Sequence, residues 1–122
     1  MLWERVESVG LAQYSYVIGD GNEALVIDPR RDVDTYVDLT QRAGYRLTHV
    51  LETHRNEDYL VGSVELAERT GAVAWHADAQ WDYRYGQPVE PGQTWTVGRL
   101  RVVALHSPGH TPGMMSYLLH EP

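Results

Sequence analysis

The sequence has no cysteine, no long apolar run and no excess of basic residues. Without cysteine the chain forms neither a disulfide nor a thiolate nucleophile, which fits a cytoplasmic location. No apolar run reaches the length of a membrane-spanning helix, and the N-terminal residues do not resemble a signal peptide, so we expect no membrane segment. The formal net charge of -7 argues against a nucleic-acid partner. These absences together predict a soluble cytoplasmic protein.

The length and composition fit a single globular domain. The chain has 122 residues, of which 43% are hydrophobic and 22% charged, enough to bury a core. Short apolar runs alternate with helical patterns, which predicts an α/β fold with right-handed crossovers. The predicted strands are 11–18, 24–27, 47–51, 72–75, 94–97, 100–105 and 114–119. One predicted helix begins at Asp34 with Gly44 as its C-cap, the other runs from Leu60 to Arg69, and 78–86 is a predicted loop.

The first candidate site follows the predicted strand 47–51. His54, Asn56 and Asp58 place an imidazole, an amide and a carboxylate at alternate positions between that strand and the next helix. Ligands of open α/β sheets bind at the carboxyl ends of strands, so these groups are candidates for a metal site. Taken alone, the segment is better explained as a polar loop in which Asp58 caps the helix.

The second candidate site is the turn from His106 to Gly113. Pro108 fixes its own φ and Gly109 permits unusual dihedrals, so the turn can hold His110 rigidly, as a metal ligand requires. Alone, a solvated turn is the simpler explanation. Both His54 and His110, however, follow predicted strands. If these strands lie in one sheet and run the same way, both imidazoles reach one edge, and two imidazoles with one carboxylate suit a mononuclear metal.

Three segments together resemble the metallo-β-lactamase superfamily, in its glyoxalase II and persulfide dioxygenase branch. They are the apolar strand ending at Asp28, the strand-loop-helix from Thr48 to Leu60, and the hairpin followed by Ser-Pro-Gly-His-Thr-Pro-Gly at 107–113. The resemblance covers nearly the whole chain. It implies an αββα metallo-β-lactamase-like sandwich, of which residues 1–122 would form the N-terminal half only, with the C-terminal half absent.

The match to the family's His-x-His-x-Asp-His motif is partial. His54 and Asp58 match its first histidine and its aspartate, whereas Asn56 and Tyr59 stand where its other two histidines belong. His110 matches the histidine of the later loop. The resemblance therefore implies His54 and His110 as metal ligands, with a third, an aspartate, beyond residue 122. An amide and a phenol are poor substitutes for imidazole, so the resemblance disfavours a dinuclear zinc site.

The leading interpretation is a mononuclear non-haem iron enzyme of the persulfide dioxygenase type, active in its full-length form. Fe(II) is then the expected metal, with zinc as the alternative. Asp58 is the candidate catalytic carboxylate, and Asn56, Asp58 and Tyr59 would orient ligands or solvent. The expected substrate is a small thiol, persulfide or thioester, and fusion to rhodanese-type domains or self-association of the chain is expected.

Two other interpretations stay open. One is a zinc-dependent thioester hydrolase of the glyoxalase II type, since zinc-bound water needs only three protein ligands. The other is a non-catalytic scaffold whose metal site has decayed. The remaining histidines considered, His49, His76 and His120, are interpreted as packing or surface residues.

Overall fold

The computed structural model describes residues 1–8, 13–54, 57–77, 86–107 and 114–121, with the backbone alone at 7–8, 13 and 57–61. Within these ranges the elements are β1 (Leu2–Ser8), β2 (Gln13–Asp20), β3 (Glu23–Ile27), α1 (Asp34–Ala43), β4 (Arg46–Leu51), α2 (Glu57–Thr70), β5 (Val73–His76), β6 (Gln87–Pro88), β7 (Thr94–Val97), β8 (Leu100–His106) and β9 (Met115–His120). No helix in these ranges is long and apolar enough to cross a membrane.

The strands form two sheets. The larger sheet has the order β1-β2-β3-β4-β5-β6, and the smaller has the order β7-β8-β9. In the larger sheet, β1, β2 and β3 pair antiparallel, whereas β3, β4, β5 and β6 pair parallel. The smaller sheet is an antiparallel meander. The helices α1 and α2 are the crossovers that make β3, β4 and β5 parallel, as the alternating pattern predicts.

Two apolar cores separate three layers. One core lies between the helices and the larger sheet and includes Tyr36 and Leu66 against Val26 and Val50. The other lies between the two sheets, where strand residues including Leu51 meet Trp95 and other residues of the smaller sheet. Because successive side chains point to opposite faces, a strand covered on both faces is apolar throughout, which accounts for the run at 24–27. The observed order is helix, sheet, sheet, in agreement with the predicted α/β sandwich.

Most elements agree with the sequence prediction to within a few residues. Helix α1 ends at Ala43, and Gly44, with a left-handed φ of 80°, is its C-cap, as predicted. Helix α2 begins at Glu57, earlier than predicted. Strands β1 and β6 were not predicted, and the predicted loop at 78–86 lies outside the described residues except for Gly86.

One structural condition of the site prediction is wrong. Strand β4, which precedes His54, belongs to the larger sheet, whereas β8, which precedes the turn containing His110, belongs to the smaller one. The antiparallel meander β7-β8-β9 buries its inner face against the larger sheet instead of extending it. Proximity of the two segments therefore depends on sheet-to-sheet packing and not on parallel pairing.

Candidate functional site

The site lies where the parallel strands of the larger sheet end. Asp28 follows β3, and Glu52, Thr53 and His54 follow β4. The Asp28 N–H donates to the carbonyl of Leu51 at 2.8 Å, and the Glu52 N–H donates to the carbonyl of Trp75 at 3.0 Å. These bonds continue the strand pairing by one residue. They hold the chain rigidly as far as the polar residues that follow β4.

Asp28 is a buried carboxyl group bound by one neighbouring residue. The Thr53 N–H donates to Oδ1 of Asp28 at 2.8 Å, and the Thr53 hydroxyl donates to Oδ2 at 2.6 Å. Burial raises the pKa of Asp28 to about 7, since it outweighs these two hydrogen bonds, and the Glu52 carboxyl group adds to the rise. Asp28 also has a φ of 54°, the one positive φ of a non-glycine residue in the described ranges. Aspartate tolerates this conformation better than most residues do.

Thr53 connects this carboxyl group to His54. The Thr53 Oγ1 atom lies 2.6 Å from Asp28 Oδ2 and 2.8 Å from Nδ1 of His54. His54 is half-buried at the sheet edge. The histidine that the sequence singles out is thus oriented through a hydroxyl group by a carboxyl group that lies 25 residues earlier than Thr53 in the chain.

The smaller sheet meets the larger one at these same residues. The Met115 N–H donates to the carbonyl of Thr53 at 2.7 Å, and the Tyr117 hydroxyl donates to the carbonyl of Glu52 at 2.5 Å. The Ser107 N–H donates to the carbonyl of Met114 at 2.9 Å. Both ends of the 107–114 connection are therefore held together beside the residue that precedes His54.

The predicted site residues differ in how much the structure describes of them. His54 lies at the sheet edge as stated. Asn56 and His110 lie outside the described residues. Asp58 and Tyr59 are within the first turn of α2, and their side chains are not among those described. Because α2 begins at Glu57, Asp58 is a helical residue and does not occupy the cap position that the simpler interpretation gave it. Among the described residues, no three ligand-type side chains form a group that could hold a metal.

Sequence reasoning missed four residues of this edge: Asp28 and Thr53, which orient His54, and Glu52 and Tyr117, which lie behind them. Glu52 is fully buried. Burial raises the pKa of Tyr117 well above its ordinary value, and the carboxyl groups of Asp28 and Glu52 add to the effect. A signal was present, because acidic residues directly follow the apolar runs 24–27 and 47–51. It did not indicate that the two carboxyl groups would be neighbours.

Three other histidines, His49, His76 and His120, lie away from this edge or take part in packing. His49 is half-buried within β4, with Nδ1 at 2.7 Å from the Thr48 hydroxyl oxygen. His76 is buried at the end of β5. Burial lowers the pKa of both imidazoles. His120 is exposed at the end of β9, which makes it a useful control position.

Comparison with known proteins gives one family. Residues 9–122 match the model of the metallo-β-lactamase superfamily. The chain is 36% identical over 107 residues to a hydroxyacylglutathione hydrolase of Acidiphilium cryptum, covering 86% of this chain and 44% of the relative. It is 30% identical over 119 residues to the mitochondrial persulfide dioxygenase ETHE1 of Bos taurus, covering 88% of this chain and 44% of the relative. The chain therefore spans less than half the length of these curated relatives.

Solved structures agree with this match. The crystal structure of ETHE1 from Myxococcus xanthus superposes with a TM-score of 0.87 at 32% identity, over 98% of this chain and 54% of that one. A metallo-β-lactamase from Staphylococcus aureus superposes with the same TM-score, 0.87, at 30% identity, over 98% of this chain and 37% of that one. The fold described above thus matches part of the fold of each of these two proteins.

Proposed function

This chain belongs to the metallo-β-lactamase superfamily, and we propose that it supplies two ligands, His54 and His110, to a mononuclear iron site of the persulfide dioxygenase type. The third ligand, a carboxylate, would lie beyond residue 122. The activity is proposed for the whole protein, because this chain spans less than half the length of the relatives it matches. Its substrate would be a small persulfide.

The hydrogen bond from the Met115 N–H to the Thr53 carbonyl, at 2.7 Å, carries this proposal. It fixes the start of β9 against the residue directly before His54. Ser107 and Met114 are hydrogen-bonded to each other, and six residues, 108–113, connect them along the chain. His110 is near the middle of these six residues in the sequence. A chain of six residues held at both ends cannot carry its central residue far, since each residue spans at most about 3.6 Å. Sharing one ion with His54 is therefore within its reach.

Among the described residues, His54 offers an imidazole nitrogen, a ligand that both iron and zinc accept. His54 is anchored through Nδ1, so Nε2 is the nitrogen that would hold the ion. Iron held by two imidazoles and one carboxylate supplies open positions at which a persulfide and dioxygen can react. The contribution of this chain is to present and orient the imidazoles. Behind them lie the fully buried Glu52 and the half-buried Tyr117, whose hydroxyl donates to the carbonyl of Glu52.

The two substituted motif positions favour one metal over two. Asn56 and Tyr59 replace imidazole ligands that a second zinc would need, and neither an amide nor a phenol is a common zinc ligand. A glyoxalase II type hydrolase remains the second candidate, because the chain is 36% identical to a hydroxyacylglutathione hydrolase. A hydrolase of that kind would have to function with a single zinc ion.

Metal analysis of the protein extended past residue 122 tests the proposal. After anaerobic purification we expect iron in the wild-type protein and its loss from the His54→Ala and His110→Ala variants. The matched control is His120→Ala, which removes an exposed histidine from the end of β9 and should retain the metal. Wild-type protein that holds no iron, or an H54A variant that keeps all of it, would contradict the proposal.

Two activity assays separate the candidates. Oxygen consumption that depends on a small persulfide is expected of the iron-loaded protein, whereas hydrolysis of an acyl-glutathione by the zinc-loaded protein would favour the second candidate. A protein that does neither, and whose H54A variant matches the wild type in metal content, would support the scaffold interpretation instead.

A further inference from the structure

Hydrogen bonds connect Asp28 to Thr53 and Thr53 to His54, and the donor and acceptor in each bond follow from the chemistry of the groups. We propose that Asp28, acting through the Thr53 hydroxyl, fixes the tautomer of His54 with its proton on Nδ1 and its lone pair on Nε2. Asp28 is then a positioning residue for a metal ligand. This inference deepens the proposed function and rests on it for its meaning, although its test can be performed without a metal.

Both carboxylate oxygens of Asp28 accept hydrogen bonds from Thr53. A backbone N–H can only donate, so the Thr53 N–H at 2.8 Å makes Oδ1 of Asp28 an acceptor. The ionised group has acceptor positions alone, so Oδ2 must also accept, and the donor at 2.6 Å is the Thr53 hydroxyl. Both contacts come from one residue, and Asp28 is 7% exposed, which leaves little room for another arrangement.

The Thr53 hydroxyl group lies between Asp28 and His54. It has one proton, and that proton points at Asp28. Toward His54 the Thr53 oxygen therefore offers a lone pair, at 2.8 Å from Nδ1. A hydrogen bond over that distance requires Nδ1 to carry a proton. A neutral imidazole has only one N–H, so the lone pair is on Nε2, the form that a metal ligand needs.

The substitution Asp28→Asn keeps the shape of the side chain and should reverse the tautomer of His54. The Thr53 N–H keeps an oxygen as its partner, so the amide nitrogen takes the place of Oδ2 and donates to the Thr53 oxygen. The hydroxyl proton must then point at His54, and Nδ1 becomes the acceptor. We expect the His54 proton to move to Nε2, and the affinity of the protein for a divalent metal to fall about 10- to 100-fold, as removal of such a partner typically does.

The test is a two-bond ¹H–¹⁵N correlation spectrum of histidine in the metal-free protein extended past residue 122. It is recorded above the pKa of Asp28, which is about 7, so that both groups have the stated charge. The His54 signals are identified by their absence from the H54A spectrum. Wild type should give the Nδ1–H tautomer and D28N the Nε2–H tautomer, and zinc titration of the same samples gives the affinities.

Two further variants and one control complete the design. Thr53→Val removes the hydroxyl group and should leave a mixture of tautomers, whereas Thr53→Ser should keep the wild-type tautomer and affinity. The matched control is Asp20→Asn, the same change at a buried aspartate that ends β2 and binds Arg99 instead. Its His54 tautomer should not change, which separates a specific effect from general destabilisation.

Two results overturn the inference. One is a wild-type spectrum with the proton on Nε2, and the other is a D28N or T53V spectrum identical to that of the wild type. Failure of the proposed function is a different observation, namely wild-type protein that binds neither iron nor zinc. The spectrum of the metal-free protein does not depend on that result.

Discussion

The buried Asp28 should make the stability of the protein depend on pH in the opposite sense to an ordinary aspartate. Its pKa rises from the ordinary value of 3.8 to about 7 on folding, chiefly because burial disfavours the charged form. The native state therefore binds a proton more tightly than the unfolded chain. Between these two pH values the native state holds more protons, so the free energy of unfolding falls as pH rises.

The magnitude follows from the size of that change. A rise from 3.8 to about 7, at about 1.4 kcal/mol for each pH unit, corresponds to roughly 4 kcal/mol. This contribution is fully present below pH 3.8 and is lost as pH rises through about 7. Asp28→Asn removes the titration. Relative to the wild type, the variant should therefore gain up to roughly 4 kcal/mol as pH increases across this window.

Urea unfolding of metal-free wild-type and D28N protein at a series of pH values measures this difference. The control is Asp20→Asn, because hydrogen bonds from Arg99 lower the pKa of Asp20. The ionised Asp20 stabilises the native state above its ordinary pKa of 3.8, and this stabilisation is lost as pH falls. The D20N variant should therefore be less stable than the wild type near neutral pH, and this difference in the free energy of unfolding should shrink on acidification. A D28N-minus-wild-type difference that stays constant across the window, or that changes in the other direction, would refute the reasoning about Asp28.

Three further predictions concern packing and association. Gly62→Ala should destabilise the protein by about 1–3 kcal/mol in urea unfolding, because a Cβ would lie 2.5 Å from the carbonyl oxygen of Arg30, and an unchanged midpoint would contradict this. Gly44→Ala meets no atom within 4 Å but keeps a φ of 80°, so it should cost only the strain, about 1–2 kcal/mol. The 122-residue chain alone should self-associate, as measured by light scattering. Leu118→Lys should reduce the association, because Leu118 is 47% exposed beside Leu105 on the outer face of the smaller sheet. A wild-type chain that is monomeric would contradict this prediction.

Local signals predicted most of the elements. The end of α1 was predictable because glycine adopts a positive φ without strain and is therefore common just after a helix, as Gly44 is here. The β7-β8 hairpin was predictable because Gly98 separates two strand patterns. The run 24–27 is apolar at each position because both faces of β3 are covered. A helix end, a hairpin turn and an apolar run each involve residues that are close in the sequence, so the sequence of the segment is enough to predict them.

Pairings between distant segments were harder to predict. Strand β1 has a mixed sequence, Leu-Trp-Glu-Arg-Val-Glu-Ser, because it is an edge strand with one neighbour, and its exposed residues break the apolar pattern. The two-sheet arrangement depends on how β7, β8 and β9 bury a shared face, which no single segment reveals. The Asp28–Thr53 bonds likewise need the crossover through α1 to bring residues 25 positions apart into contact. His54 was identifiable from its segment alone, whereas the residues that orient it were not.

The two effects of Asp28 connect stability with ligand orientation. Burying a carboxyl group that must ionise near neutral pH is unfavourable for folding, and the two bonds from Thr53 offset only part of that, since the pKa stays raised. Strongly shifted pKa values of this kind are concentrated at functional sites. D28N should therefore lose metal affinity under the alkaline conditions in which its stability compares best with the wild type. A misfolded variant would lose both together, so measuring unfolding and zinc binding on one sample distinguishes a positioning role from a structural one.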